Sequence, residues 1–209
     1  ADGCAEDLDD IIFKLSSRSA EKSFGNLSSP LLMGVVNVTP DSFYDGGKYL
    51  DVNSAISRAH GLIAAGADII DIGGESSKPG AVPVTAKEEI DRVIPVIKEV
   101  VGFGVPISID TKKPAVMEAA IIAGASIVND ITALSGDSRS IGLLKELGVP
   151  VILMHMQGSP VDMQNKPYYE SAPLDIFEYL RHRIMTCLEA GLSKSNLIVD
   201  PGIGFGKNL

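Results

Sequence analysis

Asn37, Asp110, Asn129 and Asp200 each stand at the end of a short apolar run, and each is followed by a loop rich in Gly, Pro or small polar residues. Fixed carboxylates and amides can grip a ring with an amino-pyrimidinone edge, which offers donors and acceptors together. Such pairing is selective because an unmatched buried polar group is costly. Asn37 also supplies an amide oxygen, a hard ligand suited to Mg²⁺. Met154, at the end of another apolar run, is an apolar side chain that can lie against a flat ligand. Ser76, Ser77 and Lys78, followed by Pro79 and Gly80, can bind a small carboxylate or phosphate. Asp71 precedes a Gly-Gly turn and is as well explained by orienting nearby backbone.

Some chemistry is not suggested. The three histidines, His60, His155 and His182, have no spacing that would build a zinc site. His155 reads as a buried, hydrogen-bonded residue. The GIGFGK run ending at Lys207 looks like a phosphate cradle but does not match the P-loop spacing.

Parallel strands followed by helices are what would bring these residues together. Five times a helix-like stretch ends in a Gly-containing turn and a short apolar run follows. The segments are Leu62–Gly74, Glu99–Thr111, Ala119–Ile131, Leu143–His155 and Cys187–Gly202. The apolar runs are continuous rather than alternating, as in strands buried on both faces of a parallel sheet. Each Gly fits the position after a helix where a left-handed backbone is needed. With Leu31–Asn37 as an opening strand, six strands alternate with five helices, expected near 53–66, 87–101, 114–124, 139–147 and 174–190. Pro114 suits a first helical turn, and Pro95 is expected to kink the second helix.

Alternating βα units build either a doubly wound sheet or a barrel. The repeat spacing and the polar residue at every strand end favour an α/β chain of the (β/α)8 TIM-barrel class, with about six of its eight units present. Residues 30–209 would form this barrel. Residues 1–29, weakly patterned, are expected to be a surface segment that covers the barrel bottom. The two remaining βα units are expected either beyond Leu209 or from elsewhere.

Composition narrows the partners. The net charge is -9 and the pI near 4.8, which argues against nucleic acid and requires local cations or a metal for an anionic substrate. No run is long enough for a membrane span, the acidic start lacks a signal-peptide pattern, and Cys4 and Cys187 read as free thiols. A cytoplasmic protein is expected.

In order, NVTPDSFYDGG, DIGGESSKPGA, SIDT, NDI, LMHMQG and DPGIGFGK resemble the dihydropteroate synthase family, over roughly residues 31–209. The resemblance implies a TIM-barrel transferase of folate biosynthesis. It would join 6-hydroxymethyl-7,8-dihydropterin pyrophosphate to p-aminobenzoate and release pyrophosphate, with sulfonamides competing for the aminobenzoate site. Carried over by position, Asp110, Asn129 and Asp200 would hold the pterin, with Met154 on its face. Asn37 would serve Mg²⁺ and pyrophosphate, and with Asp110 the chemistry. Ser76, Ser77, Lys78, Pro79 and Phe205 would flank the aminobenzoate, and a homodimer is expected at full length. Lys78 stands where the family usually has Arg, Ser77 where Thr is usual, and Tyr44 where Ser is common. The family's last two strands supply a Lys to both substrates and an Arg and His to pyrophosphate. A chain ending at Leu209 would lack them, and is expected to show little or no synthase activity. Two other readings stay open: a non-catalytic pterin-binding fragment, and a barrel related to methyltetrahydrofolate-dependent methyltransferases.

Overall fold

A computed structural model describes residues 30–39, 48–76, 82–160 and 162–207, with side chains from residue 52 in the first helix. The expected N-terminal segment 1–29 lies outside the described residues, as do Asp41–Gly47 and Ser77–Ala81. Residues Met33–Leu209 form one compact unit.

Along the chain run β1 (Met33–Asn37), α1 (Lys48–Ala64), β2 (Ile69–Gly73), α2 (Ala86–Val100) and β3 (Ile107–Asp110). They are followed by α3 (Pro114–Ala123), β4 (Ile127–Asp130), α4 (Ser140–Leu147), β5 (Val151–Met154), α5 (Ala172–Glu189) and β6 (Leu197–Asp200). Among the described residues the six strands form one parallel sheet in the order β1-β2-β3-β4-β5-β6. Each strand pairs with its sequence neighbour and the order never reverses. That excludes the doubly wound alternative, whose strand order turns back at a switch point.

Local signals explain the helix limits. Thr85 caps α2 by accepting from the Glu88 amide at 3.2 Å, while Glu88 accepts from the Thr85 amide at 2.8 Å. This reciprocal pair fixes the first turn. Pro114 occupies the first turn of α3. Helix α2 continues across Pro95 for five more residues. Helix α1 starts earlier than the apolar periodicity indicates, at Lys48. The five Gly residues expected after helices, Gly66, Gly104, Gly124, Gly148 and Gly191, all have positive φ. At Gly124 the need is also steric, since a Cβ there would lie 2.5 Å from Val101.

The apolar core lies between sheet and helices. Val36, Ile72, Ile109, Val128 and Leu153 point outward from five strands and meet residues such as Val93, Val96 and Met117. The alternate positions line the other face of the sheet. There the middle strands are polar, with Asp71 and Ser108 buried and Asn129 partly so. Filling an apolar sandwich on one face and a polar surface on the other follows from the two-residue strand period. At the two outer strands the apolar side chains Val35 and Val199 are 51% and 47% exposed.

Candidate active site

The register aligns the polar strand ends. Asn37 pairs with Gly73, Gly73 with Asp110, and Asp110 with Asn129. One row across four strands therefore carries three of the four residues that the sequence singled out. Gly73, without a side chain, separates Asn37 from Asp110. A Cβ at Gly73 would be 3.6 Å from Asn37 Oδ1 and 3.4 Å from Asp110 Oδ2, so both groups border the same small space. Asp200 lies apart from this row. It pairs with Met154 on the β5–β6 edge, and its Oδ1 accepts from the Gly202 amide at 2.7 Å. The residue also ties the loops, since the His155 amide donates to its carbonyl at 2.9 Å.

Under this row lies a second polar layer. Asn129 Nδ2 donates to Asp71 Oδ2 at 3.0 Å. Asp71 is 3% exposed with Ser108 beside it in register, and Asn129 Oδ1 is buried with no partner in the protein. Burial raises the Asp71 pKa, while Ser108 and Asn129 oppose the rise. The tie to Asn129 goes beyond orienting a turn.

Asp110 sits in a strongly negative field. Burial pushes its pKa well above the usual carboxylate range, and the charges of Asp71, Glu89, Asp130 and Glu75 push it further. Cations answer on one side. Lys113 bridges Glu75 and Glu89, both at 2.5 Å, and Lys112 reaches Glu75 at 2.9 Å. Burial raises the Glu75 pKa, but the two lysines and the Val84 amide more than offset it, and the net shift is downward. The open cleft over this network is lined by Ser76, Asp110, Thr111, Lys112, Ile131 and Pro160 among others.

This ion network was not assigned a role from the sequence. One signal was available: Glu89 occupies the apolar stripe of α2, four residues before Val93 and seven before Val96, and its side chain has no exposed surface. An acid on such a stripe demands a buried partner.

The remaining residues divide. Ser76 lines the cleft, while Ser77, Lys78 and Pro79 lie outside the described residues. Met154 is 3% exposed beneath Gly202, and Phe205 stands in the following turn, its amide donating to the Gly202 carbonyl. His155 is buried as expected, edge-to-face with Tyr179 at 4.9 Å. Lys207 is turned into its own loop. It donates to the carbonyls of Gly202, Phe205 and His155 at 2.7, 2.9 and 3.2 Å and lies 3.1 Å from His155 Nδ1. An ammonium held in this way clamps the loop.

Among the described residues no group of three or more His, Cys, Asp or Glu could hold a metal. Asn37, exposed at the rim beside Asp110, still fits Mg²⁺. That ion keeps several waters and takes one or two protein oxygens when a phosphate ligand is present.

The profile of pterin-binding enzymes matches residues 33–209. The chain belongs to the pterin-binding enzyme family. The dihydropteroate synthase of Escherichia coli (strain K12) is 47% identical over 185 residues, 88% of this chain and 65% of that relative. Two solved structures of the family share the fold. The Xanthomonas albilineans synthase with 4-aminobenzoic acid has 46% identity and a TM-score of 0.79, over 86% of this chain and 63% of that one. The Yersinia pestis synthase in a sulfonamide drug complex has the same identity and TM-score, over 86% of this chain and 65% of that one. The chain thus spans slightly less than two thirds of the length of these relatives. The fold shared with them is the (β/α)8 barrel, and the six-stranded arc is its part in this chain. None of the described helices is long and apolar enough to cross a membrane.

Proposed function

We propose that this chain carries the pterin-gripping wall of a dihydropteroate synthase. The protein would condense 6-hydroxymethyl-7,8-dihydropterin pyrophosphate with p-aminobenzoate to give 7,8-dihydropteroate and pyrophosphate. The observation that carries this reading is the register row of Asn37, Gly73, Asp110 and Asn129, with Asn129 held from below by Asp71. Likeness to the E. coli synthase supports it, as do the aminobenzoic acid and sulfonamide bound by the two solved relatives.

Asp110, Asn129 and Asp200 hold the pterin edge, and Met154 lies against the ring. Ser76, Ser77, Lys78, Pro79 and Phe205 border the aminobenzoate. The reaction is dissociative: the carbon–oxygen bond to pyrophosphate breaks first, a cation forms at the exocyclic methylene, and the aromatic amine captures it and sheds a proton. The negative field that raises the Asp110 pKa is the field that favours positive charge at this place. Asn37 would hold Mg²⁺, which when bound neutralises charge on the pyrophosphate. The protein acts in the cytoplasm as a homodimer, on small molecules and not on nucleic acid.

The test is a synthase assay on the full-length protein with pterin pyrophosphate, p-aminobenzoate and Mg²⁺. Dihydropteroate is expected, with loss of at least about tenfold in rate for Asp110→Asn. Pterin binding without any product would replace this reading with a non-catalytic pterin-binding module.

A further inference from the structure

We propose that Asp71 is a positioning residue that fixes the hydrogen-bond polarity of Asn129, so that the amide shows an acceptor to the ligand's exocyclic amino group. The proposal rests on the pterin reading above. An amide side chain has two ends of nearly equal shape, one donating and one accepting, and can present either. A carboxylate can only accept. Asn129 must therefore turn Nδ2 toward Asp71, and it does so at 3.0 Å. Oδ1 is left facing away from Asp71, buried and without a partner in the protein.

The arrangement is a poor choice for a core. Asp71 is 3% exposed and has no cation among its hydrogen-bond partners. Buried polar groups in folded proteins are normally satisfied, so the open Asn129 Oδ1 needs a reason. A ligand N–H at Asn129 supplies one. Burial raises the Asp71 pKa on balance; against it, the Ser108 side chain, beside Asp71 in register, and Asn129 favour the ionised carboxylate that this role requires. A ligand with a carbonyl in place of the amino group would set acceptor against acceptor.

The test compares 6-hydroxymethylpterin with 6-hydroxymethyllumazine, which carries a carbonyl in place of the amino group, by calorimetric titration of the full-length protein. The wild type is expected to prefer the pterin by about tenfold or more. Asp71→Asn frees Asn129 to turn over, and the preference is expected to shrink by about tenfold. The swapped pair, Asp71→Asn with Asn129→Asp, is expected to restore it, because Asn at 71 donates to Asp at 129 and an acceptor again faces the ligand. An Asp71→Asn protein whose two affinities fall together, leaving the preference unchanged, overturns the proposal while the pterin reading stands. Failure of the swapped pair to regain the preference overturns it too, and decides the matter if the single variant does not fold. A wild-type protein that binds neither probe overturns the pterin reading and this proposal with it.

Discussion

Lys113, three residues beyond Asp110, places its ammonium 2.5 Å from the carboxylate of Glu89, whose side chain is wholly buried on α2. The same ammonium reaches Glu75 just after β2. One lysine thus fastens the ends of β2 and β3 to the helix between them, at the edge of the candidate site. Removing it leaves Glu89 as a buried charge with no counter-charge. Lys113→Met is expected to cost about 3–5 kcal/mol in urea denaturation. Adding Glu89→Leu should recover most of that loss, because no bare charge remains. Equal losses in single and double variants would show that the pair is not coupled.

Asp110 trades stability for function. Its folded pKa is raised above the ordinary 3.8 by burial and by neighbouring carboxylates. The folded chain therefore holds this proton more tightly than the unfolded chain. The stabilising contribution is complete below pH 3.8 and is lost as pH rises through the raised value. Asp110→Asn removes that loss. At pH 7 the variant is expected to be more stable than the wild type, with the gain vanishing near pH 3. Its affinity for a pterin should fall at the same time. Denaturation at the two pH values and one binding isotherm check both halves.

Two glycines of the loop after β6 should respond differently. Gly202 has φ +64, and a Cβ there would stand 2.1 Å from the His155 carbonyl oxygen. Gly204 has φ +93 and open space around it. Gly204→Ala is expected to cost about 1–2 kcal/mol for the backbone alone. Gly202→Ala adds a clash between loops and is expected to cost about 3 kcal/mol or more. Thermal melts of the two variants make the comparison.

Lys207 and His155 give a spectroscopic prediction. Burial depresses the His155 pKa below 6.5, and the Lys207 charge depresses it further. Lys207→Met removes the second cause and keeps the first. The imidazole pKa, followed by NMR titration, is expected to rise yet stay below 6.5. An unchanged value would mean that the two groups do not share a contact in solution.

The fold was legible because its signals are local. Continuous apolar runs, glycines at helix ends and a polar residue closing each strand follow from the backbone's two periods and its need for positive φ at helix ends. They determined six strands, five helices and the level at which Asn37, Asp110, Asn129 and Asp200 stand. The family resemblance of the NVTPDSFYDGG and DIGGESSKPGA motifs was likewise carried by local residue order.

What the sequence by itself could not decide is which of these polar residues meet. Register pairing put Asn37, Asp110 and Asn129 in one row and left Asp200 on the β5–β6 edge, where its carboxylate holds a loop amide. The same pairing made Asp71 the partner of Asn129, 58 residues away, and Lys113 the partner of Glu75 and Glu89. Each of these contacts depends on how neighbouring strands slide and how a helix packs back on the sheet. Burial and charge then act only on the groups so assembled, which is why the raised Asp110 pKa and the inward turn of Lys207 belong to the tertiary structure.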